Sequence, residues 1–264
     1  MLSLQVLVST IDQEDYSLLD KMNIQSDAIV VNQCKENSVK VFEYNGHTVK
    51  WISMDRRGVG LSRNTCLMLA TADIVLFADQ DIRYNDGYAE NVIKAFEDEK
   101  EADVICFNID LVNSDKNIGK HRNNTRNKKL HIFNSMRYGA TLIAGRTKAL
   151  RRERISFSLL FGGGAEFSCG EDSVFISDCL KSGLKLFSNV YCLGEVDDST
   201  STWYTGIDEK FLIDKGIVYS IIFKKIRFLI YGYYAFRLSR NCEYGIGQIY
   251  KCFVKGNKII REYR

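Results

Sequence analysis

The residues best placed to do chemistry are Asp79 and Asp81, which follow a continuous apolar run from Ile74 to Ala78. A run of that length and composition suits a parallel strand buried on both faces. In open α/β sheets, ligands collect outside the carboxyl ends of the strands. Residues i and i+2 of an extended segment project to the same side. Two carboxylates on one side of a crevice suit a hard divalent cation, and such a cation suits a nucleoside diphosphate. A second acidic pair, Glu171-Asp172, follows Gly162-Gly163-Gly164. The three glycines lack the Gly-x-x-x-x-Gly-Lys-Ser/Thr spacing of a P-loop. They read as backbone that a ligand can approach closely, or as a plain flexible loop.

The elements that must place these groups follow in order along the chain. Gly58 and Gly60 open a turn, and Leu61, Leu67, Met68 and Ala72 recur at helical spacing before the Ile74 strand. Val174, Phe175, Cys179 and Leu180 form the apolar stripe of a helix that Glu171-Asp172 would open, where carboxylates are favourable. Further strands are expected over 4–8, 28–32, 39–44, 50–54 and 103–111, with a helix over 88–100. Strands alternating with helices predict an α/β fold, a doubly wound and mainly parallel sheet flanked by helices. The polar stretch 113–131 breaks that alternation and reads as a long loop, either an acceptor-side flap or a solvated insertion.

The segment from Arg57 to Asp81 resembles the nucleotide-sugar-binding region of family 2 glycosyltransferases of the GT-A fold. The residues that carry the likeness are Gly58, Gly60, Ser62, Arg63, Asn64 and Asp79-Gln80-Asp81. Phe161–Gly183 is similar to that family's acceptor-side segment, and Ser199–Gly206 (STSTWYTG) to the Ser-Thr-Ser element of capsular and cell-wall members. The resemblance implies a GT-A-like sheet with a C-terminal helical extension. It implies donor contacts from Thr10, Asp12, Asn32, Gln33, Arg57, Gly58, Arg63, Asn64, Asp79, Gln80 and Asp81. Arg57 and Arg63 stand either toward the diphosphate or paired with Asp55 and Asp73. The implied cofactor is a divalent metal, Mn2+ or Mg2+, on Asp79 and Asp81. Asp172 is the implied general base, and Glu171 orients it or binds the acceptor beside Gly163 and Gly164. Trp203 reads either as an acceptor-binding residue stacked on an apolar sugar face or as a packing residue. Two departures stand out. The acidic residue that commonly meets the nucleobase is missing at Asn32-Gln33. Asp197-Asp198 stand where a histidine often precedes the Ser-Thr-Ser element, so Asp198 is either a further metal ligand or part of a polar loop.

Composition excludes several alternatives. The chain has 264 residues with 45% apolar content, enough for one packed α/β domain plus an appendage. Eight cysteines show no Cys-x-x-Cys spacing, which predicts buried reduced thiols, and no His-Glu-x-x-His motif suggests zinc. No basic stretch followed by an apolar core opens the chain, so a cytoplasmic location without a signal peptide is expected. Charge divides unevenly. Residues 215–264 hold eleven Lys or Arg against two Glu, a balance of +9 in a chain of +3, so residues 1–214 carry −6. The expected organisation is a catalytic domain over 1–214 and a basic amphipathic helical tail over 215–264. Ile217–Arg240 reads as a helix with Ser220, Lys224, Arg227 and Tyr231 as its more polar stripe. Its cations alternate with Ile, Phe, Leu and Tyr, which suits peripheral contact with an anionic membrane at the inner face of the plasma membrane. Packing on the body, or association of two copies into a homo-oligomer, is the other reading. No RNA-recognition or helix-turn-helix signature points to nucleic acid.

The expected activity is inverting hexosyl transfer from a nucleotide sugar, a UDP-sugar first, to a saccharide or lipid-linked saccharide in surface polysaccharide synthesis. One rival is a nucleotidyltransferase that makes nucleotide sugars, but Leu7–Asp15 (LVSTIDQED) lacks its glycine-rich loop. The other is a non-catalytic carbohydrate-binding or scaffold subunit, which would not need Asp79, Asp81 and Asp172.

Overall fold

The apolar runs become strands because almost every side chain in them is covered from both faces. The computed structural model describes residues 1–112, 123–197 and 206–263. In chain order the strands and helices are β1 (Leu4–Ile11), α1 (Leu18–Lys21), β2 (Asp27–Gln33), β3 (Ser38–Tyr44), β4 (His47–Met54), α2 (Val59–Leu69), β5 (Ile74–Asp79), β6 (Ile82–Tyr84), α3 (Tyr88–Asp98) and β7 (Val104–Val112). Then come β8 (Lys128–Lys129), β9 (Ile143–Arg146), α4 (Thr147–Arg152), α5 (Glu171–Lys181), β10 (Leu186–Asp197), α6 (Glu209–Ile222), α7 (Arg227–Leu238) and α8 (Ile246–Glu262).

They build one sheet in the order β3-β4-β2-β1-β5-β9-β7-β10-β6, with β8 pairing off β10. The long strands β4, β2, β1 and β5 run parallel, as do β7 and β10. Short β9 is antiparallel to both β5 and β7, so all six long strands share one direction. Their carboxyl ends therefore gather along one edge, with Ser9 beside Asp79 and Thr10 beside Asn32. This is the mainly parallel sheet flanked by helices that the alternation predicts, with antiparallel β3 added at one end. The β3–β4 hairpin turns at Asn45-Gly46, with φ of 50° and 81°, as a two-residue turn of that hand requires. Of the polar stretch 113–131, the described part holds short β8 and tucks Asn124 inside.

The C-terminal helices differ from expectation in a way that matters for the site. Instead of one helix over 217–240, the chain bends after Ile222 and α7 folds back beside α6 and α8. Tyr231 and Ala235 of α7 are buried with Leu212, Ile249 and Phe253. Ser220 and Tyr231, expected on a polar stripe, meet inside as a hydroxyl pair at 2.5 Å. α6 and α8 cross closely at glycines, because a Cβ on Gly256 would sit 2.3 Å from the Ile213 carbonyl oxygen. α6 begins at Glu209 and so spans position 214. Buried Asp214 on α6 accepts hydrogen bonds from the backbone N–H and hydroxyl of Ser168, at 2.8 and 2.7 Å, and an ion pair from Lys210. Gly170 lies against Val218, where a Cβ would clash at 2.2 Å. The extension thus holds the loop that leads into α5.

Candidate active site

The strand ends form one side of a crevice, and its polar groups order one another. Gln80 reaches back over β1, where its Oε1 accepts from the Thr10 hydroxyl at 2.6 Å and from the Ile11 N–H at 3.1 Å. Asn32 clamps the backbone of Gln13 through both ends of its amide, at 3.0 and 2.9 Å. Gln33 Oε1 accepts the Gly58 N–H at 2.7 Å, so β2 holds the glycine turn. Arg57 grips both oxygens of Asp12 at 2.8 Å; both side chains are exposed. Gln13 has no place in the sequence motif, yet it joins Asn32 to Gln80; only the strand register brings it there.

Gly60 is required where α2 meets the loop after α4, since a Cβ there would lie 2.7 Å from the Ser158 carbonyl oxygen. Asn64 holds the same loop, donating to the Phe157 carbonyl at 2.8 Å and accepting its N–H at 2.7 Å. The triple glycine folds onto this assembly. The Gly163 carbonyl accepts the Val59 N–H at 2.9 Å, and a Cβ on Gly164 would lie 3.1 Å from the Gly58 nitrogen. Gly162, at φ +92°, passes so close to Glu171 that a Cβ would come within 2.7 Å of its carboxyl carbon. The close approach that the glycines allow is thus used by the protein itself, to seat the 162–164 loop against the Gly58 turn.

Arg63 joins the two sides. It is 3% exposed and lies over the Phe157 ring at 5.2 Å. Its Nη2 donates to both oxygens of Asp79 at 2.9 Å, and its Nη1 reaches Glu171 at 3.4 Å and Asp172 at 3.2 Å. Of the two alternatives for Arg63, pairing with Asp73 and facing the site, its partners lie in the site. Asp73 instead accepts from Ser3. Burial opposes the Arg63 charge, but Asp79, Asp172 and Glu171 outweigh it and hold the guanidinium above its ordinary value. One cation against three carboxylates leaves net negative charge. Burial first, then Glu171, with Asp79 adding, push Asp172 up to about 8, although Arg63 pulls it down. Asp172 sits in the first turn of α5, and a Cβ on Gly139 would lie 3.7 Å from its Oδ2. The segment around Gly139 and Ala140 was invisible as a site element in sequence, because nothing polar marks it.

Asp79 ends β5, whereas Asp81 follows in the turn before β6, so the two carboxylates do not share the one extended segment expected of them. Among the described residues no group of three or more His, Cys, Asp or Glu side chains could hold a metal. Asp198 and Trp203 lie outside the described residues, so their expected roles rest on sequence alone. All eight cysteines are free thiols.

Comparison with known proteins bears on the family and the fold. The model of glycosyl transferase family 2 matches residues 9–156, more than half of the chain. Among curated protein sequences none matches. Among solved structures, S. aureus TarS 1–349 in complex with UDP-GlcNAc superposes with a TM-score of 0.62 at 16% identity, covering 96% of this chain and 70% of that one. A longer S. aureus TarS structure gives 0.62 at 17% identity, over 92% of this chain and 44% of that one. The UDP complex of TarS 1–349 gives 0.59 at 15% identity, over 100% and 92% of the two chains. At such identities the likeness is one of fold, here the GT-A fold.

Proposed function

This chain belongs to glycosyl transferase family 2 and is a glycosyltransferase; we propose that it transfers a hexosyl group from a UDP-sugar, with inversion, to a saccharide or lipid-linked acceptor of a surface polysaccharide. The observation that carries this reading is Arg63, which ties the donor-side Asp79 to the acceptor-side pair Glu171-Asp172. The TarS structures with UDP-GlcNAc and UDP support the choice of donor.

In this mechanism the donor lies across the ends of β1, β2 and β5. Thr10, Asn32, Gln33 and Gln80 keep the strand ends and the Gly58 turn in place around it. Asp172 takes the proton from the acceptor hydroxyl as that oxygen attacks the anomeric carbon. Arg63 fixes Asp172 Oδ1, and Glu171 shares the same guanidinium. A single displacement inverts the anomeric centre. A divalent cation in such sites takes one or two carboxylates and completes its shell with substrate phosphates and water. Asp81 and Asp79, two carboxylates, fit that donor set and would hold the cation, Asp79 being oriented by the Arg63 guanidinium. When bound there, the cation would neutralise charge developing on the departing diphosphate.

Mn2+ or Mg2+ is expected to raise affinity for UDP, and Asp81→Ala to remove that gain. Isothermal titration with and without metal is the check. Equal metal-independent binding by wild type and variant would sink the metal assignment.

We further propose peripheral binding to an anionic leaflet through the outer face of α7. Phe228, Leu229, Tyr233 and Phe236 are exposed there, and Lys224, Lys225, Arg237 and Arg240 are exposed beside them. Among the described residues no helix is long and apolar enough to cross a membrane. Each cation near an anionic surface contributes about 1 kcal/mol, and salt weakens it. Cutting the chain at Ile217 would slice α6 and open two cores, so Phe228→Ser with Leu229→Ser is the cleaner probe. The full chain should co-sediment with phosphatidylglycerol vesicles at low salt, less at high salt, and the double variant should not. Indifference to vesicles, with a dimer in solution that the variant abolishes, would assign the face to a second copy.

A further inference from the structure

Beside the site lies a cleft of about 890 Å³ between the 123–137 segment and the helices α6 and α7. Arg126, Lys128, Arg137, Lys215 and Arg237 line it, and no described carboxylate does. Arg126, Lys128, Lys215 and Arg237 make no ion pair among the described residues, in a molecule where other lysines and arginines often do. Aromatic rings share the walls: Phe133, Phe211, and Tyr219 stacked on Tyr234 at 4.5 Å.

The floor is built rather than incidental. The buried Asn108 amide clamps the Asn124 backbone, donating from Nδ2 to its carbonyl at 3.0 Å and accepting its N–H at Oδ1 at 2.5 Å. Asn124 Oδ1 accepts from Arg137 at 2.5 Å and from the Tyr138 hydroxyl at 2.6 Å. Arg137 also lies 4.4 Å over the Tyr138 ring. This network fixes one cation of the cleft. It also fixes the chain two residues before Gly139, which approaches Asp172 Oδ2. Two residues of chain span at most about 7 Å. The wall of the cleft therefore runs directly into the proposed base.

The geometry points to this cleft as the acceptor site, taking an acceptor that carries phosphate next to sugar. Arg126, Lys128, Lys215 and Arg237, which make no ion pair among the described residues, can bind phosphate through charge-assisted hydrogen bonds, and aromatic faces cover the apolar faces of sugar rings. Both are found one short step from the group that must take the acceptor's proton. The phosphate has two chemical sources, a phosphodiester within a polymer or a diphosphate joining saccharide to lipid. A basic aromatic cleft also suits single-stranded nucleic acid, but the position beside Asp172 favours an acceptor. The inference rests on the glycosyltransferase reading and names the class of its acceptor.

The test uses the full chain with saturating UDP, so that the donor site is blocked. Decyl diphosphate, a glycerol phosphate oligomer and oligouridylate are titrated separately by fluorescence anisotropy competition at low and high salt. The variant is Arg126→Glu with Lys128→Glu, both on exposed side chains away from the outer face of α7. Wild type should bind the diphosphate, the phosphodiester or both in a salt-sensitive way, and the variant should bind at least tenfold more weakly with UDP affinity unchanged. Preference between the first two probes names the source. Equal binding by wild type and variant, binding of neither probe, or tighter binding of oligouridylate overturns the assignment. If UDP itself fails to bind, the donor reading has failed; the same titration without UDP still decides the cleft.

Discussion

Asp172→Asn is expected to lower turnover by about 10²-fold or more while leaving UDP affinity nearly unchanged. The variant keeps the shape of the side chain and removes its ability to take a proton. Wild-type kcat/KM should rise with pH toward about 8, because the free enzyme's carboxyl is pushed up to that value by burial and by its acidic neighbours and only its deprotonated form acts as a base. The variant should lose that limb. Stability carries an independent sign. The folded carboxyl holds its proton more tightly than the unfolded one, so its contribution is full below the ordinary aspartate range. It fades as pH rises through about 8. An amide there is neutral at every pH, so the variant should melt no lower than wild type at pH 8. Transfer at the wild-type rate would make Asp172 a helix-end carboxylate only, with Glu171 next in line.

Arg63→Met should be the most damaging single substitution for the fold. It leaves Asp79, Glu171 and Asp172 without their shared cation, and because Arg63 is 3% exposed and Glu171 14% exposed, water reaches the stranded groups only through the partly open Asp79 and Asp172. Removing one partner of a buried ionic cluster costs about 3–5 kcal/mol, a large part of the 5–15 kcal/mol, roughly, that holds a domain folded. Urea unfolding at pH 7 measures it. The deficit should shrink at pH 5, where the stranded carboxyls take up protons. Arg63→Lys should fall between, since one ammonium cannot reach three carboxylates as the planar fork does. A loss below about 1 kcal/mol in Arg63→Met would show that the carboxylates are stabilised by something other than this guanidinium.

The alternation of apolar runs and helical stripes was enough to predict strands β1 to β5 and β7 and helices α2, α3 and α5, because burial on a sheet imposes local periodicity that survives without knowledge of partners. Asp79, Asp81, Glu171 and Asp172 were legible for a related reason: carboxylates directly after a buried run mark the ligand-binding edge of an α/β sheet, and an acidic pair before an apolar stripe marks the start of a helix. What compensates them was not legible. Arg63 and Asp172 are 109 positions apart, and only the parallel strand order, the glycine loop seated on the Gly58 turn and α6 gripping Ser168 bring them together. The same limit applies to Ser220 and Tyr231, which read as a polar stripe on one helix. A bend after Ile222 turns them inward against each other. Local pattern reports how much of a side chain is buried, whereas the identity of its neighbours depends on how distant segments pack. The sequence by itself determined the strands and the acidic groups at their ends; the tertiary structure alone decided that one arginine would join them, and that a basic cleft would open between the 123–137 segment and the helices α6 and α7.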